Sequence, residues 1–198
     1  KDTGEVTNLS NVANETITLY AQWKANKYTI NYNPNGSSVT GTMAVQEVNY
    51  GSETKLSPNK FTRPGYTFAG WNLRANGTGN SYQDEQTVLN LVMSDGDEIT
   101  MYAQWSPITY TIAFDPGAYN TNGSMEPQKF AYDQKAPLNA NQYTRDGFLF
   151  ESWNTSADGS GTRYNDKEAV ENLGTSQDEV VTLYAQWGHS TYYIAFHG

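Results

Sequence analysis

The chain has 198 residues, no cysteine, a formal net charge of −9 at pH 7 and a pI near 4.6. Nucleic-acid binding needs clustered lysine and arginine to neutralise phosphate, so this acidic balance argues against nucleic acid and against an anionic membrane surface as partners. The absence of cysteine excludes disulfides and thiolate metal sites. No apolar run reaches the ~20 residues needed to cross a bilayer, so no membrane insertion is expected within this fragment.

Short motifs recur along the chain at a constant spacing of 82 positions, which indicates a tandem repeat. The sequence Tyr-Ala-Gln-Trp ends at Trp23, Trp105 and Trp187, and residues 63–71 return as 145–153. The spacing predicts four segments: the C-terminal part of a preceding repeat (1–23), a complete repeat 1 (28–105), a complete repeat 2 (110–187) and the first strand of a following repeat (192–198). An alternative is a permuted folding unit, which begins with the tail of one sequence repeat and borrows the first strand of the next.

In chain order, the first predicted element is a short helix near the end of each repeat. In repeat 1, Asp84 stands four positions before Val88, and Leu91 follows three positions later. Residues three apart share one face of a helical turn, and aspartate suits the N-cap. The matching segment of repeat 2, 166–174, ends in Gly174, which can supply a left-handed C-terminal cap. We therefore expect one short helix in each repeat.

Strands with alternating apolar and polar residues account for most of the remainder. The last strand of repeat 1 places one set of alternate side chains toward the core: Ile99, Met101, Ala103 and Trp105. The opening strand, 28–32, alternates in the same way. A strand at 45–50 follows a turn-rich loop, and an irregular or briefly helical stretch is expected around Leu56 and Leu138.

The stretch 63–71 predicts a β-turn that runs into a strand. Pro64 suits the first central position of a type II turn, and Gly65 can take the positive φ required at the second. After the turn, side chains alternate, so Tyr66 and Phe68 share one face and are expected in the core. Their counterparts in repeat 2, Phe148 and Phe150, are expected there too.

Trp71 falls on the opposite parity from Tyr66 and Phe68, which leaves two alternatives. Gly70 marks a bulge that returns the indole to the core, or the indole faces outward where a neighbour or a ligand could reach it. The same alternatives hold for Trp153, with Ser152 at the bulge position.

Comparing equivalent positions of the repeats gives a criterion for a catalytic site, since a site used by every unit should have the same residues at the same repeat positions. The two histidines, His189 and His197, lie outside the complete repeats. The recurrent acids have structural explanations as caps and turn residues, and the acidic glycine loops do not match the spacing of a calcium-binding EF-hand. We therefore predict a non-catalytic protein with no cofactor and no metal site.

Exposed aromatic residues are the one feature that could carry binding, because such rings stack on sugars or anchor protein contacts. The candidate ligand-binding residues are Tyr102, Tyr184, Tyr119, Trp71 and Trp153. The competing interpretation is that these aromatic residues simply suit strands and pack against a second layer.

The combined motifs are specific. They include Tyr-Thr-Ile-x-Tyr at 28–32, Arg-Pro-Gly-Tyr-Thr-Phe-Ala-Gly-Trp at 63–71 and Leu-Tyr-Ala-Gln-Trp at 183–187. Together they resemble the Listeria-Bacteroides repeat family, which is related to the B-repeat of internalins. The resemblance implies a small α+β, mostly β unit of β-grasp type, similar to ubiquitin or SUMO, strung in tandem on secreted or wall-attached bacterial proteins. It implies no catalytic residues.

Two functions follow as hypotheses. The first is a stalk or spacer at the bacterial cell surface or on a secreted protein, with neighbouring repeats of the same chain as its partners. The second is an adhesive module that binds a glycan or a host surface protein through exposed aromatics and loops.

Overall fold

The computed structural model describes residues 4, 7 and 9–190, and this part of the chain consists of β-strands, turns and loops. The strands are β1 (Lys27–Asn33), β2 (Gln46–Asn49), β3 (Thr54–Lys55), β4 (Tyr66–Asn72), β5 (Ser81–Tyr82), β6 (Thr87–Val88), β7 (Glu98–Pro107), β8 (Thr109–Asp115), β9 (Thr121–Asn122), β10 (Gln128–Ala131), β11 (Ala136–Pro137), β12 (Thr144–Arg145), β13 (Phe148–Asn154), β14 (Arg163–Tyr164), β15 (Ala169–Val170) and β16 (Val180–His189).

Each repeat forms one five-stranded sheet, and the two sheets have the same strand order. Sheet 1 runs β2-β1-β7-β4-β5 and sheet 2 runs β10-β8-β16-β13-β14. The first and last long strands of each repeat pair in parallel at the centre of the sheet, and the outer pairs are antiparallel. Both ends of a repeat therefore meet in the middle of its sheet.

Two separate hydrophobic cores pack against the two sheets, and both are rich in aromatic side chains. The buried set of repeat 1 is Tyr28, Ile30, Val48, Leu56, Phe61, Trp71, Val88, Met101 and Ala103. The buried set of repeat 2 is Tyr110, Ile112, Phe114, Phe130, Leu138, Tyr143, Trp153, Val170, Leu183 and Ala185. Aromatic rings supply the burial that the modest aliphatic content of the chain cannot.

The predicted helices are wrong, and with them the α+β, β-grasp fold class: the described residues contain no helix and the units are all-β. In repeat 1, Glu85 and Asn90 have φ values of 54° and 53°, which a right-handed helix cannot accommodate. Between them Val88 pairs with Thr54 in a short two-stranded sheet. The Asp84 carboxylate accepts a hydrogen bond from the backbone N–H of Asn59 at 2.9 Å, so it caps a neighbouring loop.

Gly174 does not cap a helix either. Its backbone lies against Tyr110, since a Cβ on residue 174 would fall 2.6 Å from the Cβ of that tyrosine. The glycine allows a close approach between the loop and the central strand pair. The stretch predicted to be irregular or briefly helical contains the short strands β3 and β11, followed by the buried Leu56 and Leu138.

The segment assigned to a preceding repeat ends in residues 17–23, which match the last strand of repeat 1 in sequence but do not form a strand in the structure. Leu19, Tyr20 and Trp23 are 71%, 80% and 92% exposed. A strand of this type lies at the centre of its sheet and needs two neighbours from its own repeat, which the described residues do not provide for this segment. The predicted first strand 192–198 lies outside the described residues.

The structure decides between the two alternatives for Trp71 in favour of the bulge. The register between β4 and β7 shifts between Phe68 and Gly70, so the parity changes and the Trp71 indole turns into the core with no exposed surface. The rings of Phe68 and Trp71 then pack with centroids 4.9 Å apart. Repeat 2 shifts at the equivalent position, between Phe150 and Ser152, and buries Trp153 equally.

Candidate functional site

The turn at 63–66 forms as predicted, and its side chains pack into an ordered surface. The Tyr66 N–H donates to the Arg63 carbonyl at 3.1 Å, and Gly65 has a φ of 76°, as a type II turn requires. The Arg63 guanidinium lies over the Tyr66 ring, 3.7 Å from its centroid, in cation–π geometry. The stacked guanidinium and ring together form a flat surface, part cationic and part aromatic, at the end of repeat 1.

That face contacts repeat 2. The Tyr132 ring lies so close to Gly65 that a Cβ at residue 65 would collide with it. The Tyr66 and Tyr132 rings meet edge to face with centroids 5.9 Å apart, and the Tyr66 hydroxyl donates to the Asp133 carboxylate at 2.6 Å. We call these contacts, between the turn 63–66 and residues 132–133, the joint.

The prediction that Tyr66 lies in the core of its own repeat is therefore wrong, because its half-buried ring serves the joint. Phe148, at the same position in repeat 2, is also only half-buried and packs on His189, with ring centroids 4.6 Å apart. Phe68 and Phe150 lie at the margin of their cores, packed against Trp71 and Trp153.

The linker between the repeats is tied to both of them. The Ile108 N–H donates to the Gly65 carbonyl at 2.9 Å, and the Ile108 carbonyl accepts from the Tyr132 N–H at 2.9 Å. The Ile108 side chain is buried. The linker is therefore a short bonded segment and not a free tether.

Parts of this arrangement recur at the other ends of the repeats. The Ser190 N–H donates to the Gly147 carbonyl at 3.1 Å, as Ile108 does to Gly65. The Tyr50 N–H donates to the Asn26 carbonyl at 2.8 Å, as Tyr132 does to Ile108. The backbone of the joint is thus a property of the repeat and not of one pair of residues.

The Asp133 carboxylate is the charged hydrogen-bond acceptor of the joint. Its carboxylate accepts hydrogen bonds from the Tyr66 hydroxyl and, at 3.0 Å, from the Asn172 side-chain amide. These two bonds, with a smaller contribution from the positive charge of Arg63, lower the pKa of Asp133 below its ordinary value. The hydrogen bond to Asp133 raises the pKa of Tyr66, because it favours the protonated phenol.

The tryptophans of the Tyr-Ala-Gln-Trp motif have a structural task that the sequence analysis missed. The Trp105 Nε1 donates to the Pro34 carbonyl at 2.9 Å, and the Trp187 Nε1 donates to the Pro116 carbonyl at 2.8 Å. Each indole therefore pins the loop that follows the first strand of its repeat. The signal was available, since a proline follows the first strand at the same position of both repeats.

The structure does not bring the five candidate ligand-binding aromatics together. Trp71 and Trp153 are fully enclosed in separate cores, and Tyr102 and Tyr184 are half-buried on the central strands β7 and β16. Tyr119, in the loop after β8, is 95% exposed. It borders a shallow cleft formed with Asp115, Pro116, Gly117 and Ala118.

Recurrent acids in the described residues hold backbone amides. The Asp97 carboxylate accepts from the Ser94 N–H at 3.3 Å, and Glu179 accepts from Thr175 and Ser176 at 2.7 and 3.0 Å. The two amide bonds lower the pKa of Glu179. Within the described ranges no group of three or more His, Cys, Asp or Glu side chains is placed to hold a metal ion.

Two sheets of one strand order, with a bonded linker and a joint between them, define a tandem-repeat protein built from small all-β units. Among the residues that the structure describes, none form a helix that is long and apolar enough to cross a membrane. The geometry thus presents units in series and offers no convergent set of reactive side chains in the part of the chain described.

The profile of the Listeria-Bacteroides repeat domain matches residues 28–104 and 110–186. The chain belongs to this repeat family, and the resemblance drawn from its motifs is confirmed.

Three relatives extend the comparison. A "Putative Gly-rich membrane protein" of Evansella cellulosilytica is 35% identical over 68% of this chain, and a "Putative membrane protein" of the same organism is 33% identical over 90%. Internalin H of Listeria monocytogenes is 26% identical over 81%. The matched region spans 15%, 25% and 25% of these three relatives, so each of them is far longer than the segment it shares with this chain.

Proposed function

We propose that these repeats are a non-catalytic stalk that holds another domain of the same protein away from a bacterial cell surface. The observation that carries the proposal is the series of two folded units of one sheet order, joined by a short bonded linker, since such a series adds length with each unit. The names of the relatives, two membrane proteins and an internalin, support a location at the cell surface or outside the cell. The partners of each repeat are then its neighbours in the chain.

The stalk is tested by display. A small epitope is fused to the N-terminal side of the repeats, and their C-terminal side is anchored on a Gram-positive cell. Three variants are compared, which contain no complete repeat, one complete repeat or both. We expect antibody access to the epitope to increase with the number of repeats. A flexible Gly-Ser linker of equal residue count is the control, because a coil of that composition is much shorter on average than its contour length. Equal access with and without the repeats would contradict the stalk.

One observation favours a second candidate function, adhesion to a glycan or a host surface protein. Tyr119 is 95% exposed and lines a shallow cleft together with Asp115, and an exposed tyrosine offers a partner both an apolar ring and a polar hydroxyl. A hydrogen bond within the loop stabilises its conformation, since the Gly117 N–H donates to the Asp115 carboxylate at 2.8 Å. Repeat 1 has Ser37 at the position of Tyr119.

A glycan array probed with the fragment tests adhesion. Saturable binding that is lost in Tyr119→Ala and retained in Tyr20→Ala would support it, because Tyr20 is also highly exposed but lies outside both sheets. Binding that survives Tyr119→Ala would contradict Tyr119 as the contact, and no binding at all would contradict adhesion and leave the stalk as the function of this segment.

A further inference from the structure

We propose that the joint is a specific docking site for the following repeat of the same chain, and that the Tyr66–Asp133 pair makes this site selective for which repeat follows which. The proposal rests on the proposed stalk function and deepens it, because it names the partner surface and the residues that choose it. It predicts a defined angle between the repeats, where a simple spacer requires only length.

The first argument is steric. Gly65 is needed twice, once for its φ of 76° and once because the Tyr132 ring occupies the place of a side chain. In repeat 2, Gly147 has almost the same φ, 79°, yet no described atom lies within 4 Å of its Cβ position. The two glycines therefore have nearly the same φ, and among the described residues only Gly65 has a side chain of the neighbouring repeat at its Cβ position.

The second argument is chemical. The Tyr66 hydroxyl and the Asp133 carboxylate form a charge-assisted hydrogen bond across the joint. The position of Tyr66 holds Phe148 in repeat 2, and the position of Asp133 holds Gly51 in repeat 1. Repeat 2 therefore lacks the hydroxyl donor on its outgoing face, and repeat 1 lacks the carboxylate acceptor on its incoming face. Between these two repeats, the polar pair forms only in the order in which repeat 1 precedes repeat 2.

The third argument is that the acceptor is held in place from within its own repeat. The Asp133 N–H donates to the Asn172 side-chain carbonyl at 2.6 Å, while the Asn172 amide donates back to the Asp133 carboxylate at 3.0 Å. In repeat 1 the Gly51 N–H makes the first of these bonds, to Asn90, at 2.6 Å. The scaffold is therefore common to both repeats, and the carboxylate is added to it in repeat 2.

The chemistry of the occupant follows from these contacts. The docking face consists of a glycine with no side chain, an aromatic ring and a guanidinium stacked on that ring. This face fits a turn of the following repeat that places a tyrosine ring against Gly65 and a hydrogen-bond acceptor against the Tyr66 hydroxyl. The face around Arg145, Gly147 and Phe148 keeps the glycine, the ring and the stacked guanidinium, 3.7 Å from the Phe148 centroid, and would accept a tyrosine without requiring the acceptor.

The test measures the distance between the repeats by double electron–electron resonance. The chain has no cysteine, so Ala75→Cys and Ala157→Cys place one spin label at the tip of the equivalent exposed hairpin loop in each repeat. The full chain is expected to give a single narrow distance distribution. Gly65→Ala is expected to lose that narrow peak, because the added methyl group and Tyr132 cannot both occupy the site.

Gly147→Ala is the matched control. It imposes similar backbone strain at the equivalent turn of repeat 2, where no described residue contacts the added methyl group, so the distance distribution should remain narrow. Circular dichroism and amide hydrogen exchange in each sheet verify that both variants remain folded. If Gly65→Ala fails to fold, Tyr132→Ala removes the same contact from the other side and is expected to broaden the distribution as well.

Tyr66→Phe and Asp133→Gly test the selectivity. Each converts one side of the joint to the residue of the other repeat, and each is expected to shift and broaden the distribution by less than Gly65→Ala does. The double variant should add little to either single change, since both remove the same bond. Additive effects would overturn the selectivity.

A broad distribution in the unmodified chain would overturn the docking site while leaving a flexible stalk possible. Conversely, a narrow distribution together with epitope access that does not depend on repeat number would retain the docking site and overturn the stalk. The two proposals can therefore fail separately.

Discussion

Repeats 1 and 2 have the same sheet but satisfy the polar groups at the edge of their cores with different residues. In repeat 1 the hydroxyl belongs to Tyr32, which donates to Gln46 and accepts from the Ser57 N–H at 2.9 Å. In repeat 2 that position is Phe114, and the hydroxyl comes instead from Tyr143, which donates to the Phe114 carbonyl at 2.9 Å. Burial raises the pKa of both phenols.

The comparison shows what the fold requires of its repeats. It tolerates a hydroxyl on Tyr32 in strand β1 of one repeat and on Tyr143, just before β12, in the other, because either placement gives the group a partner. It does not move the central tryptophan or the asparagine that follows it, since Trp71 and Asn72 in repeat 1 match Trp153 and Asn154 in repeat 2 and all four are buried. The following predictions test this division between fixed and movable residues.

The largest effect is expected from truncating the central indole. Trp71→Ala and Trp153→Ala each empty the middle of one core, and each should cost about 3–5 kcal/mol of unfolding free energy in its own repeat. Amide hydrogen exchange, resolved by repeat, measures the loss. Trp23→Ala is the control, because that side chain is 92% exposed and its removal should change neither repeat. Equal destabilisation of both repeats by Trp71→Ala would show that the cores are not independent.

The next effect concerns Asn72, which organises the hairpin after β4. Its amide donates to the carbonyls of Gly77 and Gly79 and to the Ser81 hydroxyl, and its carbonyl accepts from the N–H groups of Arg74 and Gly79. Removing it strands several partly buried backbone groups.

Asn72→Ala should therefore cost about 3 kcal/mol, the upper part of the range for leaving buried hydrogen-bonding groups without partners. Asn154→Ala should cost somewhat less, since Asn154 makes two donor contacts where Asn72 makes three. Chemical denaturation of the two variants gives the comparison. A larger cost in repeat 2 would contradict the assignment of the extra bond to Ser81.

The bulge offers a smaller and asymmetric effect. Gly70 has a φ of 123°, and a Cβ there would fall 2.7 Å from the Tyr82 carbonyl oxygen. Ser152 forms the same bulge without a positive φ. Gly70→Ser should destabilise repeat 1 by about 2 kcal/mol, as expected for a strained backbone position, whereas Ser152→Gly should change repeat 2 little. Thermal unfolding measures both, and equal effects would show that the two bulges have the same backbone.

The smallest effect is the pH dependence of the joint. Because the pKa of Asp133 is lowered in the folded protein, its contribution is complete above the unfolded value of ~4 and is lost as the pH falls through the lower folded value. The distance distribution between labels at 75 and 157 should therefore stay unchanged at neutral and mildly acidic pH and broaden in strong acid. Tyr66→Phe is the control, since it lacks the donor and should respond less to acid.

Much of the strand architecture could be predicted from the sequence because strand periodicity and turn chemistry are local. The alternation in β1 and β7, the type II turn at 63–66 and the repeat spacing depend on neighbouring residues only. The helix could not be excluded in this way. Asp84, Val88 and Leu91 suit a helical turn, but the left-handed residues Glu85 and Asn90 and the pairing of Val88 with Thr54 override that preference.

The candidate site was predicted less well, since its parts come from two repeats. Of the five aromatic residues proposed as candidate ligand contacts, Trp71 and Trp153 are enclosed in the cores, Tyr102 and Tyr184 are half-buried on central strands, and Tyr119 is exposed. The role of Tyr66 was missed because strand parity assigns a face within one sheet and says nothing of the neighbouring unit. Its partner Asp133 lies 67 positions away, at a residue that the other repeat replaces with glycine.

By itself the sequence determined the family, the repeat period, the turns and the alternating strands, because these depend on residue type at short spacing. Only the tertiary structure decided that the first and last strands meet at the centre of each sheet, that a bulge buries Trp71 and Trp153, and that Tyr66 serves the next repeat. Each of these features depends on which residues, distant in sequence, come into contact, and local conformational preferences do not determine that.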